Sequence, residues 1–74
     1  MNILFTCAGR RNYLINYFKE ALEGSGKVFV ADMQQNASSM IDADVAIQVM
    51  EIYDDNYIEY IKNIIEKNNI KAVI

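Results

Sequence analysis

The sequence predicts an α/β domain with a parallel sheet, because short apolar runs alternate with longer amphipathic segments. The apolar runs at 3–6 and 28–31 are continuous, which is typical of strands buried on both faces of a parallel sheet. Between them, apolar residues recur at the three- and four-residue spacing of a helix with one buried face. Right-handed crossovers then give three layers, as in Rossmann-like folds.

The first strand is predicted over Ile3–Thr6 and the first helix over Arg11–Leu22. We expect the apolar face of this helix to consist of Tyr13, Leu14, Tyr17, Phe18, Ala21 and Leu22. The helix should end at Gly24–Ser25–Gly26, because glycine adopts the left-handed conformation that often follows a helix.

The second strand is predicted over Val28–Ala31, with Asp32 directly at its carboxyl end. The mixed polar and small residues of Met33–Asp44 indicate a loop, with one helical turn around Ala37–Ile41. In Val45–Val49 apolar residues alternate with Ala46 and Gln48, which indicates a strand nearer the edge of the sheet.

A second long helix is predicted to begin at Asp54 or Asp55 as its cap, to run through Lys67 and to stop at Asn68 or Asn69. Its expected apolar stripe is Tyr57, Ile58, Ile61, Ile64 and Ile65. Residues 70–74 start a fourth β-like run, and the sequence ends inside it. We therefore expect residues 1–74 to be one Rossmann-like domain that is a truncated piece of a longer chain.

Composition excludes several classes of function. Hydrophobic residues at 53% and charged residues at 23% indicate a globular chain. The net charge of -3 and the pI near 4.7 argue against nucleic acid as a partner. One cysteine and no histidine exclude an internal disulfide and the usual zinc ligand sets. Without a secretory signal or an apolar run of ~20 residues, we expect a soluble, cytoplasmic protein with no membrane partner.

The loop Thr6–Cys7–Ala8–Gly9–Arg10–Arg11 is the leading candidate site. A small-residue loop before a helix presents backbone N–H groups at the positive end of the helix dipole, which favours phosphate or carboxylate. Arginine adds a planar fork of donors, so Gly9, Arg10 and Arg11 are predicted to bind an acidic substrate group. Alternatively, Gly9 only makes the turn and the arginines are solvated or pair with acids such as Asp32.

This loop is neither a dinucleotide fingerprint, which needs three glycines, nor a P-loop. Asp32 nevertheless follows it by about 20 residues, the position of the ribose-binding acid in nucleotide-binding Rossmann domains. Asp32 is therefore a candidate nucleotide-binding residue, and the alternative is that it caps a turn.

Other chemically suggestive residues have simpler interpretations. Cys7, near a helix start, is either a reactive thiolate or, as favoured here, a small packed residue. The tyrosines at helical spacing are expected to pack: Tyr13, Tyr17, Tyr57 and Tyr60. The acidic residues outside the strands are expected to form turns and caps rather than a metal site: Asp42, Asp44, Asp54 and Asp55.

Several segments together resemble a known family: 2–14, 17–19, 30–32, 43–44, 54–61 and 70–74. The most specific is Ala8–Arg11 with a tyrosine two residues on, at Tyr13. The chain resembles the amino-terminal pre-ATP-grasp domain of ATP-grasp ligases that are similar to the carbamoyl-phosphate synthase large subunit. Such enzymes activate a carboxylate with ATP as an acylphosphate and join it to an amine or other nucleophile.

The resemblance implies that the ATP and magnesium sites lie in later ATP-grasp domains of the same chain. Residues 1–74 would then have no catalytic residue and no cofactor of their own. The loop Gly9–Arg11 would contact a small-molecule substrate on the acceptor side of the cleft. Two other hypotheses are a Rossmann-like nucleotide or nucleotide-sugar binding module, and a structural half-domain that forms homo-oligomers through uncovered edges and faces.

Overall fold

The computed structural model describes residues 1–6, 12–33 and 42–74. In this part of the chain the elements are β1 (Asn2–Thr6), α1 (Asn12–Ala21), β2 (Val28–Asp32), β3 (Val45–Gln48), α2 (Tyr57–Lys67) and β4 (Ile70–Val73). The strands form one parallel sheet in the order β3-β2-β1-β4, with β3 at an edge as predicted. The α/β fold with a parallel sheet is confirmed, whereas the helical turn predicted at 37–41 lies outside the described residues.

The central strands β1 and β2 are buried on both faces. Their side chains alternate, so that Ile3 and Val28 pack on the α1 face while Leu4 and Phe29 pack on the α2 face. The register places Leu4 beside Phe29 and Phe29 beside Val45. Two-sided burial explains why these strands are continuous apolar runs, and it confirms the three-layer arrangement.

The buried face of α1 differs from the one predicted. Ile15 is fully buried against β1 and β2, with Leu14, Phe18 and Leu22 packed around it. Tyr13 and Tyr17 are 71% and 67% exposed, so they do not belong to the buried face, although the Tyr17 ring packs edge-on against Phe18 with centroids 5.6 Å apart. Each tyrosine is two positions from Ile15, which is about 200° around a helix of 3.6 residues per turn.

In α2, Tyr57, Ile61 and Ile64 are buried against the opposite face of the sheet. Ile58 was expected in the same stripe but is 64% exposed. It follows Tyr57 by one residue, a rotation of about 100°, which at the first turn carries its side chain beyond the packed face. Sequence periodicity therefore located the helix correctly but assigned one residue too many, Ile58, to its buried stripe.

The ends of α2 show one wrong prediction and one confirmed prediction. The N-cap residue is Asn56 rather than Asp54 or Asp55, and Asp54 instead accepts a hydrogen bond from the Asn56 N–H through Oδ1 at 2.8 Å. The helix stops at Asn68, as predicted. Asn69 follows in the left-handed region with φ 54°, which asparagine tolerates better than most residues.

The turn after α1 is built around the carbonyl of Leu22, which accepts hydrogen bonds from the N–H groups of Ser25 and Gly26 at 2.7 and 3.1 Å. Gly24 lies in the left-handed region with φ 81°. The predicted helix stop is thus confirmed. Gly24 provides the left-handed backbone conformation of this turn, which glycine adopts without a Cβ penalty.

Candidate functional site

The sheet order reverses beside β1, where β2 pairs on one side and β4 on the other. In open parallel sheets a crevice forms beyond the carboxyl ends of the strands at such a switch point, and ligands bind there. Thr6 ends β1 at this position and is tied to Ile74. The Thr6 N–H and Oγ1–H both donate to the carbonyl oxygen of Ile74, at 2.9 and 3.0 Å.

Gly9, Arg10 and Arg11, the predicted substrate residues, lie outside the described residues, as does Cys7. Their described neighbours are Thr6 and Asn12, which stand at the carboxyl end of β1 and at the start of α1. The predicted anion contact therefore stays a prediction. Thr6 and Asn12, the described residues on either side of it in sequence, lie where the topology predicts a ligand crevice.

The start of α1 is held by the carboxylate of Asp42. The side-chain amides of Asn12 and Asn16 donate to Asp42 Oδ2 at 2.5 and 3.3 Å. These bonds connect the first two turns of α1 to the segment that leads into β3. They fix the end of the helix that borders the switch point.

Asp32 is the last residue of β2 and is partly buried. Its backbone carbonyl accepts a hydrogen bond from the Val49 N–H at 3.0 Å, which joins the carboxyl ends of β2 and β3. The predicted placement of Asp32 at the carboxyl end of the second strand is confirmed, and its predicted nucleotide contact stays a prediction.

Asp32 lines a cavity of about 260 Å³, named here the β2–β3 cavity, between the ends of these strands and the start of α2. Val49 and Tyr57 form buried parts of its lining, whereas Ile52 and Tyr53 are 55% and 88% exposed. The lining is mainly apolar and contains two carboxylates, Asp32 and Glu51, with no lysine or arginine among its described residues.

Sequence reasoning found Asp32 but missed the other walls of this cavity. Residues 49–53 were treated as the end of a strand and a connection, although four of these five residues are apolar or aromatic. An apolar cluster in a connection just after a parallel strand was the available signal. Only the packing of this connection beside β2 shows that it forms a wall with Asp32.

A second, open cavity of about 370 Å³ runs along α2 beside β3 and is lined by Ile47, Tyr60 and Lys67 among others. Tyr60 is 39% exposed there, so it packs less completely than expected. Asp32, the predicted ligand-binding residue that the structure describes, does not line this cavity.

Asp54 acts in a turn, as predicted, whereas Asp44 binds the start of β2, sixteen residues away in sequence. Asp44 Oδ2 accepts the Val28 N–H at 2.9 Å, and Asp54 accepts the N–H of the α2 cap residue. In residues 1–6, 12–33 and 42–74, no three histidine, cysteine, aspartate or glutamate side chains are grouped to hold a metal ion. Within the same ranges, neither helix has the length and apolar character needed to cross a membrane.

Comparison with known proteins identifies a family for nearly the whole chain. The family model described as PylC-like, N-terminal domain, matches residues 3–74. No curated protein matches the chain. The match includes five described elements in full and β1 from Ile3 onward, so it does not rest on one motif.

Proposed function

Because the chain belongs to the family of PylC-like N-terminal domains, the pre-ATP-grasp domains of ATP-grasp ligases, we propose that it forms the substrate side of an ATP-dependent carboxylate ligase. The pre-ATP-grasp identity expected from the sequence is confirmed. The similarity to the carbamoyl-phosphate synthase large subunit remains part of the proposal.

The observation that carries the proposal is the sheet order. It puts the carboxyl end of β1, where Thr6 precedes the segment that contains Gly9, Arg10 and Arg11, at the switch point between β1 and β4. The first turn of α1 contains no acidic residue of its own, and the carboxylate at this end of the helix is that of Asp42, which Asn12 and Asn16 contact. The position of the loop at the switch point supports an anionic group of the substrate as its ligand.

In this proposal the chemistry is divided between domains. Later ATP-grasp domains of the same chain bind ATP and magnesium and form the acylphosphate, whereas residues 1–74 orient a carboxylate- or phosphate-bearing small molecule. Arg10 and Arg11 neutralise and position the acidic group but do not transfer protons, because guanidinium stays protonated at physiological pH. The domain therefore contributes to substrate binding and has no catalytic residue of its own.

The test is steady-state kinetics of the full-length ligase with Arg10→Ala and Arg11→Ala, varying ATP and the acidic substrate separately. Loss of a bidentate ion pair at a desolvated site costs about 2–5 kcal/mol. We therefore expect the KM for the acidic substrate to rise at least roughly 30-fold while the KM for ATP changes less than twofold.

Lys62→Ala serves as the control, because Lys62 is an exposed cation in the middle of α2. It should leave both KM values unchanged. An increase confined to the KM for ATP would refute the proposed division between domains. A full-length reading frame without ATP-grasp domains downstream of Ile74 would refute the ligase itself.

A further inference from the structure

We propose that the β2–β3 cavity binds a ribonucleoside, with the base in its apolar part and the ribose diol donating hydrogen bonds to the carboxylate of Asp32. This inference does not depend on the ligase proposal. It is carried by the position of one carboxylate at the edge of an apolar cavity.

The size and lining of the cavity favour one flat ring system. Its volume of about 260 Å³ lies just below the roughly 300–1,000 Å³ of sites for drug-sized ligands. Val49 and Tyr57 give it a buried apolar floor, and Met50 is partly buried beside them. An uncharged heteroaromatic base gains from burial against such a floor without requiring a charged partner.

Asp32 supplies the polar half of the proposed recognition. A carboxylate oxygen accepts hydrogen bonds, and the hydroxyl groups of a ribose 2′,3′-diol donate them. Asp32 ends the second strand of a β-α-β unit, the position from which an acid binds ribose in nucleotide-binding parallel sheets. The structure adds an apolar cavity for the base directly beside this acid.

The negative charge of the cavity lining favours the nucleoside part of a nucleotide over its phosphate. Glu51 lines the cavity with Asp32, and Asp54 and Asp55 follow in the same exposed connection. These carboxylates repel a phosphate held nearby. The sequence also lacks the three-glycine fingerprint for a pyrophosphate. The proposed ligand is therefore a nucleoside, or the nucleoside end of a larger molecule whose charged part points away.

Tyr53 and Ile52 border the cavity opening and provide a contact surface for the outer face of the base. Tyr53 is 88% exposed, so its ring is available to stack on a bound heterocycle. Stacking of a base on an aromatic side chain is sequence-tolerant, because every base has a π face. Ribose recognition should therefore be stricter than base recognition.

The experiment is isothermal titration calorimetry of the chain with adenosine and with 2′-deoxyadenosine, for the unaltered protein and for Asp32→Asn. A hydrogen bond to a charged group contributes enough that losing the 2′-hydroxyl should weaken binding about tenfold. Asp32→Asn should weaken adenosine binding by a similar factor. If the two groups contact each other, the deoxy penalty should disappear in the variant.

Matched controls separate the cavity from general effects. Ile52→Ala, at the opening, should weaken adenosine binding, whereas Ile58→Ala, an exposed isoleucine on α2 outside the cavity, should not. Asp55→Asn removes an exposed carboxylate that does not line the cavity and should leave binding unchanged.

Three results would overturn the proposal: no adenosine binding at millimolar concentration, equal affinity for the two nucleosides, or displacement of adenosine by butylammonium, which would show that the carboxylates select a cation. The comparison of the two nucleosides needs no variant, so it holds even if Asp32→Asn perturbs folding. None of these results bears on the kinetic test of Arg10 and Arg11.

Discussion

Replacing Ile15 by alanine tests whether α1 packs through the face centred on this residue. Ile15 is fully buried, and in the described part of the chain only Leu4, Val28 and Val30 are comparably large and as completely enclosed. The substitution removes three carbon atoms, worth about 2.5 kcal/mol in transfer free energy at roughly 0.8 kcal/mol each. The cavity left behind raises the expected cost to about 3–4 kcal/mol.

This cost is large for so small a protein. A chain of 74 residues is expected to have a free energy of unfolding of roughly 4–11 kcal/mol. We therefore expect Ile15→Ala to lower the urea midpoint by roughly 1–3 M, as followed by far-ultraviolet circular dichroism. At the lower limit of this range, up to about half of the variant molecules would be unfolded without denaturant.

The matched control is Ile58→Ala, the same change of side chain in the other helix at a 64% exposed site. It should alter the free energy of unfolding by less than about 0.5 kcal/mol, because little surface is buried and alanine favours helix. Equal losses at Ile15 and Ile58 would refute the assigned faces. A loss below about 1 kcal/mol at Ile15 would refute its burial.

Three further predictions concern the backbone, each measured by urea unfolding. Asp44→Ala removes the acceptor of the Val28 N–H and should lower the free energy of unfolding by about 1–2 kcal/mol. Asp55→Ala, which removes an exposed carboxylate, should have no measurable effect, and equal losses in the two variants would contradict the role of the Asp44 hydrogen bond. Gly24→Ala places a Cβ at φ 81° and should destabilise the chain by about 1 kcal/mol, with Gly24→Asn costing less; a neutral alanine would argue against the left-handed turn. Asn69→Ala should likewise lower the free energy of unfolding by about 1 kcal/mol, whereas Asn69→Gly should leave it unchanged. A loss of stability with glycine would show that the asparagine side chain, rather than the left-handed backbone, is what matters at this position.

Local patterns were sufficient for most of the fold. Continuous apolar runs identified β1 and β2, because a strand covered on both faces has no solvent-exposed side where polar residues would alternate with apolar ones. Asn68 marked the end of α2 because its backbone leaves the helix there. The tyrosines of α1 misled the assignment of its buried face, because tyrosine is amphipathic and its spacing fits either side of a helix.

The candidate site divides in the same way. The small-residue loop with Gly9, Arg10 and Arg11, and the acid Asp32 after the second strand, were identified from the sequence alone, because both depend on residue type and order along the chain. The connection at 49–53 was not identified, since nothing in its own pattern states which strand it packs beside. Its role depends on contacts between elements distant in sequence.

The sequence by itself therefore determined the strands and helices, the parallel character of the sheet and the positions of the acid and the arginine loop along the chain. Tertiary structure decided the strand order that puts the end of β1 at a switch point, the turning of Tyr13 away from the core, and the cavity beside Asp32. The physical reason is the distance along the chain over which each effect acts. Backbone propensity and side-chain period act over a few neighbouring residues, whereas strand order and cavities arise when separate apolar faces compete for the same core.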